Sequence, residues 1–441
     1  MTAGQAVYHD FIVAPTTCVP AKRLAACYIV GARLDLARLE YAARHVVARH
    51  DSLRTAIEPV DGVPSQVIRD PQDISDPVLE PVAWDGTPHD AARLVTDLDD
   101  WWMTPRPLSI KMLAGHGPAD ETLVVCAFNH VCSDGISAEM VFDQIRAGYD
   151  GSPVTAEQVE QFAAYYEGML QDGLRTVFDD WVDLIDQGSP AIPDWMVRQR
   201  LATDQVWIRY LEWDLAEETR QAITDICRVH TCTPFEALAA CTGIYFRRVD
   251  KRPVNIGVIH SGRDRPRGFD VTGLLRSTIL ELVDHNGIAS IADAVRRHRD
   301  ELRLRMGRFA MLPSEEVCAR TGRSPGWRAG QLGLWEVELN GMYAGMDSTM
   351  QGALVRPADV PLSEEAHCEN GGPTFVCSFT FGADSIRAAL RYVCPPADAT
   401  IADRVATDLE HTVHLVRDSP ERSIDAAPSF ATAVPEPHRL S

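Results

Sequence analysis

Residues 129–135 read NHVCSDG. They place a group that titrates near neutral pH, His130, four positions ahead of an acid, Asp134, and a glycine, Gly135. A neutral imidazole with a pKa near about 6.5 can accept the proton that an amine or hydroxyl loses when it attacks a carbonyl, or can hold an already neutral amine by a hydrogen bond. Gly135 permits close backbone approach behind the imidazole. Its N–H, or those of a helix starting there, would favour the negative charge that builds on the carbonyl oxygen. Cys132 raises the alternative of a Cys–His nucleophilic pair, but positions two apart share a face only while a strand continues.

The flanking segments show what must hold these residues. ETLVVCAF, 121–128, is a β-rich apolar run after the turn-like GHGPAD. From 136, ISAEMVFDQIRAGYD has helical spacing through Ile136, Met140, Val141 and Ile145. His130 therefore falls on a strand-to-helix connection, where a scaffold can fix a reacting group and leave it reachable. Upstream, LDLARLEYAARHVVARH predicts a helix over 34–50 with Leu36, Leu39, Ala43, Val46 and Val47 on one face and Asp35 as N-cap. DQGSPAIPDW, 186–195, reads as an interdomain connection. Beyond it come the strand WIRYLEWDL, a helix from about Ala216 to His230, the apolar PFEALAACTGIYFRRV, the strand STILELVD, the basic helix SIADAVRRHRDELRLRMGR, and a strand and helix pair over 374–417. Interleaved periodicities of this kind indicate mixed α and β structure. The stretch from 419 to 441 has little apolar periodicity and is expected to be a mobile tail.

Composition bounds the function. A chain of 441 residues, 45% hydrophobic and 24% charged, is long enough for two domains with separate cores. A net charge of −21 excludes a general nucleic-acid surface. No run approaches the roughly 18 apolar residues of a membrane span, and the N-terminus lacks a secretory signal, so a soluble, cytoplasmic protein without a membrane partner is expected. Eleven cysteines without a C-x-x-C pair favour reduced thiols over a disulfide scaffold or a metal site.

ARHVVARHDSLRTAI resembles the RHxxLRTxF segment of the condensation domains of nonribosomal peptide synthetases, and NHVCSDG resembles their HHxxxDG motif. In the same order, FAAYYEGMLQ…FDDWVDLI resembles their Tyr-rich helix and following Trp, GVIHSGRDRPRGFDVTGLLRSTILELV their SGR region, and FVCSFTFGADSIRAALRYV their last strand pair. Together these cover most of residues 20–417. The resemblance implies an α/β (α+β) fold of the chloramphenicol-acetyltransferase-like superfamily: two lobes, 1–185 and 186–418, in a V-shaped pseudo-dimer with a central tunnel.

It further implies a free-standing condensation-type acyltransferase for natural products, forming an amide or ester by attack of an amine or alcohol on a thioester. His130 and Gly135 are the expected catalytic residues. Asp134, paired with Arg263, and Asn129, standing where the family has its first histidine, are expected to hold the loop. His260 and Asn340 are expected to bind substrate. Cys132 would occupy an apolar position pointing into the lobe. No cofactor or metal is expected to be bound. The phosphopantetheine arm of an acyl or peptidyl carrier protein, or coenzyme A, would arrive with the donor, and the acceptor would be free or carrier-bound. With no adenylation or thiolation segment in view, the substrates are expected in trans. The basic helix from Arg296 to Arg308 is either a solvated charged face or a dock for an acidic carrier. A catalytically inactive recruiting module remains the alternative. The DFGWG segment of many relatives is absent, with GQLGLWEVELNGMYAG in its region.

Overall fold

The computed structural model describes residues 1–6, 9, 24–98, 101, 106–152, 159–192, 206–247, 252–323, 334–343, 348–358, 365–368, 374–394 and 400–430. The chain forms two compact units, one of 1–171, 261–276 and 345–363, the other of 172–260, 277–344 and 364–441. A single cut near 186 therefore does not describe it: two downstream segments belong to the first unit.

The first unit is built on a six-stranded sheet in the order Ser348–Met350, Ala353–Pro357, Leu24–Val30, Thr122–Phe128, Ile110–His116, Leu79–Pro81. The strand leading to His130 lies inside this sheet, antiparallel to both neighbours. All seven of its residues are buried. Val124, Cys126 and Phe128 enter the core on one face, with the helices Leu36–Arg49 and Gly135–Tyr149. Leu123, Val125 and Ala127 enter a second core with the helix Pro88–Thr96. Cover on both faces is why the run is continuously apolar instead of alternating.

Asp35 caps the helix Leu36–Arg49 by accepting from the N–H groups of Ala37 and Arg38. Just beyond that helix, buried His50 holds the Gln144 side chain at 2.8 Å, which ties it to the helix that follows His130. In that following helix the buried face is Ala138, Val141, Phe142, Ile145 and Tyr149, with Phe142 stacked on Tyr28 at 3.7 Å. Ile136 and Met140 are only partly buried, so the apolar face is rotated from the expected one. Asp134 fixes the helix start, and the spacing from 138 onward presents an i, i+3, i+4, i+7 stripe to the sheet.

The second unit carries a larger sheet in the order Ser277–Val283, Val254–His260, Val337–Tyr343, Phe375–Phe381, Ile386–Cys394, Val206–Asp214, Glu365–Cys368. The helix Pro234–Phe246, opened by a capping box of Thr233 and Glu236, is buried at every position from 237 to 246. It packs against the helices Glu217–His230, Ile291–Phe309 and Ile401–Asp418, and enclosure by these neighbours explains its lack of a polar side.

Two expectations change here. The supposed interdomain connection begins inside the helix Phe178–Gln187, and Ser189 and Pro190 then pair with Val254 and Asn255; its residues from 193 lie outside the described ones. The tail is packed as far as 430, because the Arg247 guanidinium, largely removed from water, takes carbonyl acceptors from Ile424, Ala427 and Pro428 while Ile424 and Phe430 enter the core.

Candidate active site

The strand Thr122–Phe128 ends in a connection that Asn129 shapes. Its N–H donates to the Ser109 carbonyl at 2.8 Å, its own carbonyl accepts from the Cys132 N–H at 2.9 Å, and its Oδ1 accepts from the Val131 N–H at 3.0 Å. Within this turn the half-buried His130 places Nδ1 3.0 Å from the Ser133 carbonyl oxygen. A carbonyl can only accept, so Nδ1 carries the hydrogen and Nε2 the lone pair. Burial, and then the positive charge of Arg276, push the His130 pKa down to about 4, against the opposing pull of Asp134 and backbone hydrogen bonds. At neutral pH the imidazole is uncharged. Cys132 is buried with Sγ 3.7 Å from the Thr55 carbonyl oxygen, and burial pushes its thiol up to about 11, which removes the basis for a thiolate nucleophile.

Asp134 caps the following helix, accepting from the Ser137 N–H at 2.9 Å. Its two oxygens also receive both terminal nitrogens of Arg263, at 2.9 and 3.0 Å, and one of them accepts from the Leu275 and Arg276 N–H groups at 2.9 and 3.0 Å. The Ser137 hydroxyl accepts from Arg263 and from the Gly273 N–H, and donates to the Gly273 carbonyl. Burial alone would raise the Asp134 carboxyl, but Arg263 and these donors hold it below the usual carboxylate range. The Arg263 loop is anchored in turn by the Tyr165 hydroxyl, which donates to the Gly262 carbonyl at 3.2 Å and accepts from the Arg265 N–H. Gly262 itself has φ of 67°, and a Cβ there would stand 2.0 Å from the Leu275 carbonyl oxygen. Only glycine fits that approach.

Asp134 takes the Ser137 N–H and its carbonyl takes that of Ala138, so the helix itself does not consume the N–H groups of Gly135 and Ile136. Gly135 departs from the expected tight approach. Among the described residues, no atom beyond its chain neighbours and its own helix backbone lies within 4 Å of where its Cβ would be, and the residue is exposed. The helix start thus faces open space.

The structure brings Asn129, His130, Asp134, Gly135 and Arg263 into one unit and places His260 and Asn340 in the other. Those two lie on adjacent strands whose register pairs Gly257 with Glu338 and Val258 with Leu339. Strand alternation then puts His260 on the face of Val258 and Leu339, and Asn340 on the opposite face. They do not form one subsite. Of the two readings of the basic helix, the solvated charged face is the one its ion pairs favour: Arg296, Arg297, Arg299, Arg303, Arg305 and Arg308 pair with Asp293, Asp284, Asp300, Glu236, Glu301 and Asp180 of the same unit. Its charge is largely answered within the protein, which weakens the electrostatic argument for a carrier dock. Sequence reasoning missed Ser137, Arg276 and the Ser133 carbonyl. Ser137 had a signal, since the third residue after an N-cap receives the cap; Arg276 and the carbonyl had none. Among the described residues no cluster of three or more His, Cys, Asp or Glu side chains is arranged to hold a metal, and no helix is long and apolar enough to cross a membrane.

A mixed α/β chain with a histidine on a strand-to-helix turn, pinned by a buried Asp–Arg pair, has the design of a condensation domain. The family model described as "Condensation domain" matches residues 23–318, and the chain belongs to that family. It is 25% identical over 309 residues to the isonitrile lipopeptide synthase of Mycobacterium tuberculosis, a match covering 62% of this chain but only 12% of that much longer protein. Among solved structures, the condensation domain of the monacolin K polyketide synthase MokA superposes with a TM-score of 0.74 at 14% identity, over 96% of this chain and 97% of that one. The X-domain from teicoplanin biosynthesis, also solved in complex with OxyB, superposes with a TM-score of 0.73 at 19% identity, over 97% and 96% of the two chains. The fold is therefore the chloramphenicol-acetyltransferase-like fold of condensation domains.

Proposed function

We propose that this protein is a condensation-type acyltransferase that joins an amine or alcohol to an acyl group delivered as a thioester on the phosphopantetheine arm of a carrier protein. The single observation that carries the reading is the His130 tautomer: with Nδ1–H given to the Ser133 carbonyl, Nε2 carries the lone pair, in a turn held by Asp134 and Arg263. An imidazole with a pKa near 4 is too weak a base to deprotonate an ammonium. The acceptor therefore enters neutral, and Nε2 orients it and receives its proton as the C–N or C–O bond forms. The C–S bond then breaks and the proton passes to the leaving thiolate. The Gly135 and Ile136 N–H groups stand at the helix start, where they favour negative charge on the carbonyl oxygen.

A recruiting module is the second reading, favoured by Asn129 in the first motif position and by the shared fold with the teicoplanin X-domain, which is known in complex with OxyB. The retained pinning of the His130 turn weighs against it, since a surface-presenting module has no use for a buried ion pair under a histidine. Intact-protein mass spectrometry of candidate acyl-loaded carriers with free amines and alcohols, with and without the protein, separates the readings. Protein-dependent loss of the acyl group into an amide or ester supports transfer. A parallel arm with acyl coenzyme A identifies the donor. Carrier or partner binding without turnover in any arm would instead establish the module.

A further inference from the structure

The helix Glu217–His230 ends at Thr231, whose left-handed backbone (φ 53°) turns the chain back on itself. The N–H groups of both Thr231 and Cys232 bond to the Cys227 carbonyl, the latter at 3.1 Å. A six-to-one closure of this kind brings the side chain just past the helix against the one in its last turn. Here both are cysteines, and the Cys232 Sγ turns back over the last turn of the helix, 4.0 Å from the Ile226 carbonyl oxygen. Both are half-buried, as is Cys27, whereas Cys126, Cys132, Cys241, Cys318 and Cys377 are buried.

We propose that Cys227 and Cys232 form a reversible disulfide on exposure to a hydroperoxide, a modification site independent of the acyl-transfer reading. The surroundings suit the first step. Arg303 donates to the Thr231 carbonyl at 2.9 Å and pairs with Glu236, and Arg299 bonds the His230 carbonyl, so two guanidiniums border the turn. The neighbouring Cys227 thiol, and then the charges of Arg299 and Arg303, hold the Cys232 pKa below its usual value, while Cys232 and burial push that of Cys227 up. Cys232 is thus the attacking thiolate. Its sulfur attacks the peroxide; an S–O bond forms, the O–O bond breaks, and water or an alcohol leaves. Cys227 then attacks the sulfenic sulfur, the S–S bond forms, and the hydroxyl leaves as water with the Cys227 proton. Two thiols lose two hydrogens and one peroxide is reduced. A dithiol reductant reverses it.

The test uses the native full chain treated with hydrogen peroxide, alkylated and digested without reduction. Because Arg228 lies between the two cysteines, trypsin converts the disulfide into joined peptides 221–228 and 229–247, which separate on reduction. Further cleavage by chymotrypsin after Phe235 distinguishes Cys232 from Cys241 as the partner. The expected result is the joined species carrying Cys232, reversible with dithiothreitol, with the native thiol count lower by two, and its loss in Cys232→Ser. Absence of the joined species from peroxide-treated native protein, or its assignment to Cys241, overturns the proposal.

Discussion

Arg263 grips Asp134 with both terminal nitrogens, at 2.9 and 3.0 Å, across 129 positions of sequence, and both side chains are almost wholly shielded from water. Removing either partner strands the other charge in the interior, a loss of about 3–5 kcal/mol for buried pairs. Asp134→Asn and Arg263→Ala should each lower thermal stability and turnover together. The double variant should lose less than the sum, because neither charge is left alone. The Asp134 carboxyl is held below its ordinary value, so its contribution is present above about pH 4 and fades as pH falls through the folded-state value. Chemical denaturation of wild type and Asp134→Asn from pH 7 to 3 checks this: the gap between them should close only at the acid end. Strictly additive losses would show the pair to be uncoupled.

His130 should titrate near pH 4, well below the usual histidine range, with Nδ1 as the protonated nitrogen of the neutral ring. The unfolded chain takes up this proton near about pH 6.5 while the folded chain does not, so His130 lowers stability as pH falls from there towards 4. Nuclear magnetic resonance of protein with labelled histidine rings reads both the tautomer and the midpoint. A midpoint between 6 and 7 would remove the electrostatic basis for a neutral, weakly basic Nε2. His130→Ala should reduce transfer by roughly 10² to 10⁴ while leaving the fold intact.

Much of the scaffold was legible because local signals agreed with burial. Asp35 before an apolar helical stripe is a cap, and ETLVVCAF is a strand with both faces covered. What was not legible depends on contacts distant in sequence. Nothing local says that Ser348–Met350 and Ala353–Pro357 complete the first unit's sheet, although Gln351 and Gly352, both at positive φ, mark their hairpin. The Asp134–Arg263 pairing came from resemblance alone, and its further donors, Leu275 and Arg276, are backbone groups that side-chain patterns cannot report. The helix from Arg296 to Arg308 reads as a basic surface in one dimension because its partners Asp180, Glu236 and Asp284 lie elsewhere in the chain.

Asn129 shapes the turn through its Oδ1, which accepts from the Val131 N–H. Asn129→Ala should therefore cost about 1 kcal/mol of stability and a smaller share of turnover than His130→Ala. Asn129→Asp keeps an acceptor at the same place and should restore most of the stability. Thermal melts with single-turnover rates on the three variants decide it. Equal rate losses for the alanine variants at positions 129 and 130, with folding intact, would assign Asn129 a direct part in the chemistry.

Gly135 separates what the fold needs from what a substrate needs. It is the first residue of its helix, its φ is not positive, and among the described residues a Cβ there would meet no atom within 4 Å beyond its chain neighbours and its own helix backbone. Gly135→Ala should leave stability unchanged or raise it by about 0.4–1 kcal/mol, since it restricts the unfolded chain without strain in the folded one. If the carbonyl undergoing attack rests against the Gly135 and Ile136 N–H groups, the added methyl projects into the space that carbonyl must occupy. Turnover then falls through kcat while Tm holds or rises, and Gly135→Val deepens the kinetic loss. Thermal melts paired with kcat and KM measurements supply the check. An alanine variant with unchanged kinetics would place the oxyanion away from this helix start, leaving His130 as the only group of the motif in contact with the reaction.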